Sequence, residues 1–476
     1  MSEQEQRPAW GAGEEMNAFE SVMWRMEADP TLRAATLSCE ELDRAPDWKR
    51  FVAAHEWAVR MAPRFRQKVV EPALGLGPAR WAEDPYFDLH FHLRRQRLPQ
   101  GCGWRELMDA VAQFYMTPLD RTRAPWEIML FEGLPEGRAL YSLKMHHSVT
   151  DGMGVMQLLA RLHSRTREPN PDKPQPEFEA GDRLDPLTAL MHSVRGDVGS
   201  APGLVRDVGV GALKALADPI GSVRSAFGYG RSLGRVLNPP VGTPSPLLAR
   251  RSMTMGLGAI DVPFADFRAA AKAAGGSTND AFLAALLAGF RRYHEAMGAS
   301  IAEAMPMSLP VSVRKPDDPE GGNQIVTVRL AGPLAERDPV ARVARIRELV
   351  GAARVEPAAN VMEMVSPAVA RLPGPLIAQL AGPMTKGNDV MASNVPGLGE
   401  GYYLAGAKVE RFYGYGPLAG GATLITFVTH GPVGCIGVGY DTAAVTEPKI
   451  FLDCMVDGFN EVLALNPGSA EARLRE

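Results

Sequence analysis

Two clusters of proline constrain the fold most strongly, because they divide the 476-residue chain into two long blocks. Four prolines lie within residues 169–176, and four more lie within residues 239–246. Proline lacks a backbone donor and interrupts regular structure, so such clusters are typical of connections between domains. We therefore predict a first domain over residues 1–167, a proline-bounded helical connector over 168–248 and a second domain over 249–476.

Both blocks combine strand and helix patterns. In the first block, residues 137–147 predict a strand and residues 153–165 predict an amphipathic helix. In the second block, residues 282–298 predict a helix, and residues 323–330 and 423–440 predict strands. This mixture predicts an α/β or α+β architecture with two large mixed-sheet domains.

The charge balance and the cysteines exclude several classes of protein. The chain has 51 basic and 55 acidic residues and a net charge of −4, so it lacks the basic field that holds nucleic acid, and we expect no nucleic-acid partner. Its four cysteines lack the Cys-x-x-Cys spacing of a zinc knuckle and favour a reducing cytoplasm. No uncharged apolar run reaches about 18 residues, so we expect a chain that does not span a membrane but can lie against one.

The connector has a composition of its own. Between residues 190 and 236, six basic residues outnumber three acidic ones among leucine, valine and phenylalanine. Basic and apolar residues on short helices are compatible with contact to an anionic lipid surface. Helices that pack on the two domains and turn their charges to water explain the same composition, and the sequence leaves both interpretations open.

Residues 145–152 (MHHSVTDG) join the predicted strand to the predicted helix and carry the most chemistry. Alternation along the strand places His147 on its more apolar face, together with Met145. Burial lowers the pKa of a histidine, so a neutral His147 can act as a general base near neutral pH. Asp151 stands where it can cap the helix or pair with a cation, and Gly152 permits close approach of another group.

From the residues alone, other roles for this segment stay open. A buried histidine often serves only to complete a hydrogen bond. A zinc site is disfavoured because His146 and His147 point to opposite faces of a strand and no third ligand lies at a recognisable spacing. Ser148 is not in a Gly-x-Ser-x-Gly elbow, which argues against a serine nucleophile.

The His-His-x-x-x-Asp-Gly pattern of residues 146–152 is the signature of the CoA-dependent acyltransferase superfamily. The chain as a whole resembles the bacterial wax ester synthase/acyl-CoA:diacylglycerol acyltransferase (WS/DGAT) family from about residue 60 to residue 460. Six further motifs occur in the order and spacing of that family: FDLHFHLRRQRLP (87–99), PLDRTRAPWE (118–127), STNDAFLAALLAGFRRY (277–293), LPVSVRKP (309–316), GGNQ (321–324) and SNVPG (393–397).

This resemblance implies two chloramphenicol-acetyltransferase-like domains with an active site at their interface. It implies transfer of a long-chain acyl group from acyl-CoA to the hydroxyl of diacylglycerol or a long-chain alcohol, with acyl-CoA as a substrate and no separate cofactor or metal. Apolar products imply peripheral attachment to the inner face of the membrane or to lipid droplets. Two alternatives are kept: another acyltransferase with the same motif, of the polyketide-associated, alcohol or condensation type, and a catalytically silent lipid-binding protein.

The resemblance also implies roles for the residues of the histidine motif. His147 corresponds to the general base that takes the proton of the acceptor hydroxyl as it attacks the thioester. We assign His146 and Asp151 to orientation of the loop, and Gly152 to the close approach that the motif requires.

Two other motifs contribute candidate residues. Pro118, Leu119 and Asp120 match an element that positions acyl-CoA or supports the fold, and a simple proline turn explains them equally well. Asn279 and Asp280 match a second element, in which the Asn279 amide is a candidate donor to the thioester oxyanion. Asp280 also has the spacing of a capping box with the serine three residues before it.

The sequence departs from the family pattern in three places. Asn17 stands where aspartate is usual, and residues 124–126 read Ala-Pro-Trp where Pro-Leu-Trp is commoner. Both differences bear on acceptor preference. His430 stands near a Ser-Tyr element of the family, and we expect it to be structural.

Overall fold

The computed structural model describes residues 15–73, 78–170, 173, 184–189, 191, 242, 244–312, 325–354, 369–370 and 372–476. Most of the predicted connector, including nearly all of residues 190–236, lies outside the described residues. The GGNQ motif at 321–324, with its Asn323, and the end of the LPVSVRKP motif also lie outside them.

The first block alternates helices and strands. Helices α1 to α5 span Ala18–Met26, Trp48–Met61, Leu89–His92, Trp104–Met116 and Gly152–Leu162. Strands β1 to β6 span Ala35–Leu42, Gln67–Val70, Arg80–Glu83, Leu93–Arg97, Trp126–Glu132 and Ala139–His146. Several helices begin after an Asn or Asp whose side chain accepts a hydrogen bond from the first turn, as Asn17, Asp47 and Asp151 do.

The second block has the same mixed character. Strands β7 to β15 span Met255–Pro263, Met305–Ser312, Ile325–Gly332, Val390–Val395, Tyr403–Leu404, Ala407–Tyr415, Thr423–His430, Val433–Asp441 and Arg473–Leu474. Helices α6 to α10 span Phe264–Ala273, Thr278–Ala296, Pro339–Arg354, Gly374–Lys386 and Pro448–Leu463.

The first sheet has six strands in the order β11-β12-β1-β6-β5-β4. Neighbouring strands are antiparallel except for the parallel pair β4 and β5. Strands β11 and β12 belong to the second block of the sequence, yet β12 pairs with β1, with Leu37 opposite Tyr415. The predicted division at residue 248 follows chain order, whereas in space β11 and β12 belong to the sheet of the first block. Strand β1 is buried, so the backbone groups on its second side need this partner.

The second sheet has seven strands in the order β15-β7-β14-β13-β10-β8-β9, with β10 parallel to both β13 and β8. It lies directly against the crossing strand β12. A Cβ atom added to Gly437 on β14 would collide with the carbonyl oxygen of Gly414 on β12. The two sheets therefore meet backbone to backbone at a point where only glycine fits.

The predicted helix of the second block is the longest helix of the described chain, α7, and it is buried from Asp280 through Arg291. It fills the core of the second domain together with the second sheet. The predicted strands at 137–147 and 423–440 correspond to β6 and to the hairpin β13–β14, so the mixed two-domain architecture is confirmed. No described helix is both long and apolar enough to cross a membrane.

Candidate active site

The histidine motif lies where β6 ends and α5 begins, and its backbone is held on two sides. The His146 amide donates to the Pro125 carbonyl at 2.9 Å, and the His147 amide donates to the Ala34 carbonyl at 2.8 Å. All residues of β6 are buried, whereas His147 is only half-buried. The second histidine therefore sits on a fixed backbone at the edge of the first core.

Burial lowers the pKa of His147 below its ordinary value. The Asp151 carboxylate acts in the opposite direction, and the neighbouring His146 adds to the lowering. A histidine with a lowered pKa stays neutral at a lower pH and keeps a lone pair for a proton. This is the direction that the sequence predicts for a general base.

The His146 ring is buried, and both of its nitrogens lie next to polar groups. Its Nδ1 accepts a hydrogen bond from the Ser148 amide at 3.1 Å and lies 2.7 Å from the Ser148 hydroxyl oxygen. Its Nε2 lies 3.3 Å from an oxygen of Glu27, and its ring meets Trp24 edge to face at 4.9 Å. His146 and His147 therefore have different environments, which fits separate roles for the two rings.

Asp151 and Gly152 open α5. The Asp151 side chain accepts a hydrogen bond from the Gly154 amide at 2.9 Å and so caps the helix, one of the two roles that the sequence allowed. A Cβ atom at Gly152 would lie 3.0 Å from a methyl group of Val395. Val395 belongs to the SNVPG motif of the second domain, so the histidine motif lies against that domain.

The Asn279 element contacts strand β10, which carries the SNVPG motif. Asp280 forms the predicted capping box, because its carboxylate accepts from the Ser277 amide at 2.8 Å while its own amide donates to Ser277 Oγ at 3.2 Å. The Asn394 amide group donates to Asn279 Oδ1 at 3.4 Å. Asn279 thus contacts the residue next to Val395, which connects it to the start of α5.

The third candidate element is the one that contains Pro118. Asp120 is exposed and accepts hydrogen bonds from the amide and the hydroxyl of Thr122, at 2.9 and 2.7 Å. These hydrogen bonds lower the pKa of Asp120 and make it a turn residue. Pro118 and Leu119 line an open cleft between the two domains.

This cleft approaches the motif from the side of His146. Glu27 and Ala35 lie on its wall in the first domain, and Met255 and Leu418 face them from the second. Ala35 pairs with His146 across β1 and β6. An elongated substrate in the cleft would lie next to the residues that hold the motif.

Sequence reasoning missed a buried lysine two residues before the motif. Lys144 is fully buried, and its ammonium group donates to the carbonyls of Phe114 and Thr117 at 3.0 and 2.9 Å. It also lies 3.1 Å from a Glu127 oxygen. Burial lowers the pKa of Lys144, and the Glu127 carboxylate opposes that shift. A lysine between Leu143 and Met145 in a predicted strand was the available signal.

The three departures from the family pattern occupy structural positions. Asn17 caps α1 in a reciprocal contact with Glu20. The indole of Trp126 donates to the Phe65 carbonyl at 2.8 Å in the first core. His430 is buried, with Nε2 3.0 Å from the Val409 carbonyl oxygen, which agrees with the expected structural role.

Comparisons with known proteins cover nearly the whole chain. The sequence profile of the wax ester synthase/diacylglycerol acyltransferase catalytic domain matches residues 16–282, and that of the WS/DGAT C-terminal domain matches residues 321–462. A Mycobacterium tuberculosis protein provisionally named a diacylglycerol O-acyltransferase is 40% identical over 461 residues, which cover 96% of this chain and 93% of that protein.

Solved structures show the same fold. The wax ester synthase/diacylglycerol acyltransferase from Marinobacter aquaeolei VT8 superposes with a TM-score of 0.63 at 19% identity, covering 94% of this chain and 98% of that one. The first condensation domain of the calcium-dependent antibiotic synthetase superposes with a TM-score of 0.58 at 16% identity, covering 97% and 98% of the two chains.

Proposed function

The chain belongs to the wax ester synthase/diacylglycerol acyltransferase family and is an acyltransferase, and we propose that it moves a long-chain acyl group from acyl-CoA to a hydroxyl of diacylglycerol or of a long-chain alcohol. The observation that carries the proposal is the half-buried His147, whose pKa is lowered and whose backbone is fixed where the two domains meet. The products would be triacylglycerol or wax ester.

In the proposed reaction His147 acts as a general base. It takes the proton of the acceptor hydroxyl while the oxygen forms a bond to the thioester carbonyl carbon. The carbon–sulfur bond then breaks, the ester leaves, and the proton passes from His147 to the CoA thiolate. Because an alcohol is barely ionised at neutral pH, a positioned base contributes roughly 10²–10⁴-fold to such a step. The ring begins and ends each turnover neutral.

We propose direct transfer, without an acyl-enzyme. The Ser148 hydroxyl lies 2.7 Å from His146 Nδ1, so it is engaged by a ring other than that of the proposed base. The Asn279 amide, on the opposite domain, is the proposed donor to the oxyanion that forms on the thioester carbonyl. If Asn279→Ala keeps its rate constant within about three-fold of the wild type, this oxyanion role is wrong.

A CoA-release assay tests the proposed activity. Palmitoyl-CoA is offered with diacylglycerol, with hexadecanol and with a short alcohol in parallel. We expect CoA release with at least one of the two lipid acceptors and a loss of roughly 10²–10⁴-fold in His147→Ala. The exposed His90 supplies the control, since His90→Ala should keep the wild-type rate within about two-fold. Equal CoA release by wild type and His147→Ala would exclude His147 as the base.

The pH dependence of the rate provides a second test of the same role. A base is active when deprotonated, and the pKa of His147 lies below its ordinary value. The rate constant should therefore still be at its plateau value at about pH 6.5 and should decline only at lower pH. An acid limb centred above that value would contradict an uncharged His147 in the resting enzyme.

We also propose a cytoplasmic protein attached peripherally to the inner membrane face or to lipid droplets, because its substrates and products are apolar. The basic and apolar stretch at residues 190–236 is the proposed contact. Purified protein should float with anionic liposomes at low salt, and deletion of residues 190–236 should weaken that flotation. Flotation that is absent from the start, or unchanged by the deletion, excludes this stretch as the contact.

A further inference from the structure

Glu27 follows α1 and touches both chain segments that hold His147. Its Oε1 accepts a hydrogen bond from the Ala34 amide at 2.7 Å and lies 3.3 Å from His146 Nε2. Ala34 in turn accepts the hydrogen bond from the His147 amide. The same carboxylate oxygen thus contacts His146, which precedes His147, and Ala34, which accepts the hydrogen bond of the His147 amide.

We infer that Glu27 is a positioning residue for the acyl transfer proposed above, on which this inference rests. Its carboxylate fixes His146 and Ala34, and through them the backbone of His147. Glu27 does not itself exchange a proton with the substrate in this role.

The hydrogen bonds of His146 support this inference by defining its tautomer. The Ser148 amide donates to Nδ1, so Nδ1 is an acceptor and carries no hydrogen. In the neutral ring the hydrogen must then be on Nε2, which faces the Glu27 carboxylate. Nε2 makes no well-aligned hydrogen bond within the described chain, so the Glu27 carboxylate favours this tautomer through its charge, at 3.3 Å.

The charge of Glu27 persists over the whole range of assay pH. Burial alone would raise its pKa, but His146, the Ala34 amide and Arg121 lower the pKa of Glu27 to about 2. Arg121 lies 3.3 Å from the second carboxylate oxygen and also pairs with Glu71. Glu27 therefore acts as a constant anion.

The chain offers a matched control in the same sheet. Glu40 on β1 lies 2.6 Å from His163 Nε2, so it forms a second contact between a glutamate and a buried histidine. His163 follows the end of α5, at the opposite end of that helix from the motif. A general effect of losing a buried carboxylate would appear in both variants, whereas a positioning effect would appear only at Glu27.

The first arm of the experiment measures transfer from palmitoyl-CoA. Glu27→Gln keeps the shape of the side chain but loses the charge. We expect kcat to fall about ten-fold with KM for palmitoyl-CoA within about two-fold, because binding is left intact and the base is misplaced. Glu40→Gln should keep kcat within about two-fold. A kcat of Glu27→Gln equal to that of Glu40→Gln overturns the inference.

The second arm does not depend on activity. Hydrogen exchange is measured by mass spectrometry on the peptide that contains His147, in the full-length protein. Glu27→Ala removes the contact to Ala34, so exchange of this peptide should become about ten-fold faster, while peptides of the second sheet keep the wild-type rate. Unchanged exchange at His147 sinks the positioning role. A wild-type chain without any transfer sinks the proposed function instead, and leaves the exchange result to decide on Glu27.

Discussion

The central strand pairs of the two sheets treat buried charge differently. Strands β1 and β6 bury four side chains that carry or can carry charge: Glu40, Glu41, Lys144 and His146. In β13 and β14 the comparable residues, His430 and Asp441, are the last residues of their strands, and the interiors of these strands are mainly apolar or glycine.

Each of these four side chains has a partner from outside that pair. The contacts are Glu40 with His163 at 2.6 Å, Glu41 with Arg138 at 2.6 Å and with Arg475 at 2.7 Å, Lys144 with Glu127 at 3.1 Å, and His146 with Glu27 at 3.3 Å. Buried ion pairs add little net stability, but the loss of one partner is costly, and a shifted register would break them all. In the first sheet, paired charges therefore set the strand register and the positions of the side chains. In the second sheet, apolar packing mainly stabilises the fold.

Lys144→Met tests the role of the paired charges in the first sheet and should have the largest effect. The substitution removes the buried cation of Glu127 and leaves only the partly exposed Arg94, at 3.4 Å. We therefore expect the free energy of unfolding to fall by about 3 kcal/mol. Acyl transfer should also fall, because Lys144 holds the end of α4 next to Pro118. Urea unfolding and the CoA-release assay measure the two effects. The double variant Lys144→Met/Glu127→Gln should regain most of the stability, and no recovery would contradict a charge-pair origin.

Phe282→Ala should affect stability alone. The ring of Phe282 is fully buried and lies 5.4 Å from that of Phe427. Its removal should lower the free energy of unfolding by about 3–5 kcal/mol while the transfer rate per folded molecule stays unchanged. Urea unfolding and the rate on the folded fraction check this. If the transfer rate fell while the free energy of unfolding stayed unchanged, the second domain would also have a positioning role. The contrast between the two sheets would then be wrong.

Ser277→Ala tests the boundary between the two roles, because it removes the cap of α7 next to Asn279. We expect a loss of about 1 kcal/mol in unfolding free energy, as for other N-caps. The rate constant for transfer should change by less than about three-fold. A much larger kinetic effect would show that the cap positions Asn279 as well as stabilising the helix.

The smallest expected effect is a pH dependence of stability from His163. Burial alone would lower its pKa, but Glu40 and the Leu159 carbonyl raise the pKa of His163 above its ordinary value. The stabilisation is therefore complete below about pH 6.5 and is lost as the pH rises through the folded-state pKa. The difference in unfolding free energy between wild type and His163→Gln should shrink from about pH 6 to about pH 9. A constant difference would mean that His163 is neutral in the folded protein.

Local patterns in the sequence were sufficient for the elements that carry the motif. The alternation before His147, the capping position of Asp151 and the capping box of Asp280 are all set by neighbours within a few residues. Glu27 was missed because it meets His146 only after α1 folds back on the first sheet. The pairing of β12 with β1 was not predicted, since periodicity can identify a strand but not its partner.

The pairing of β12 with β1 has a consequence for synthesis of the chain. As the polypeptide leaves the ribosome, one side of β1 has no neighbour until residues 407–415 have been translated. For most of that time a row of backbone amides and carbonyls is open to other chains, which is a known route to aggregation. Production of this enzyme should therefore be sensitive to the speed of translation and to chaperone supply, even if the finished protein is robust.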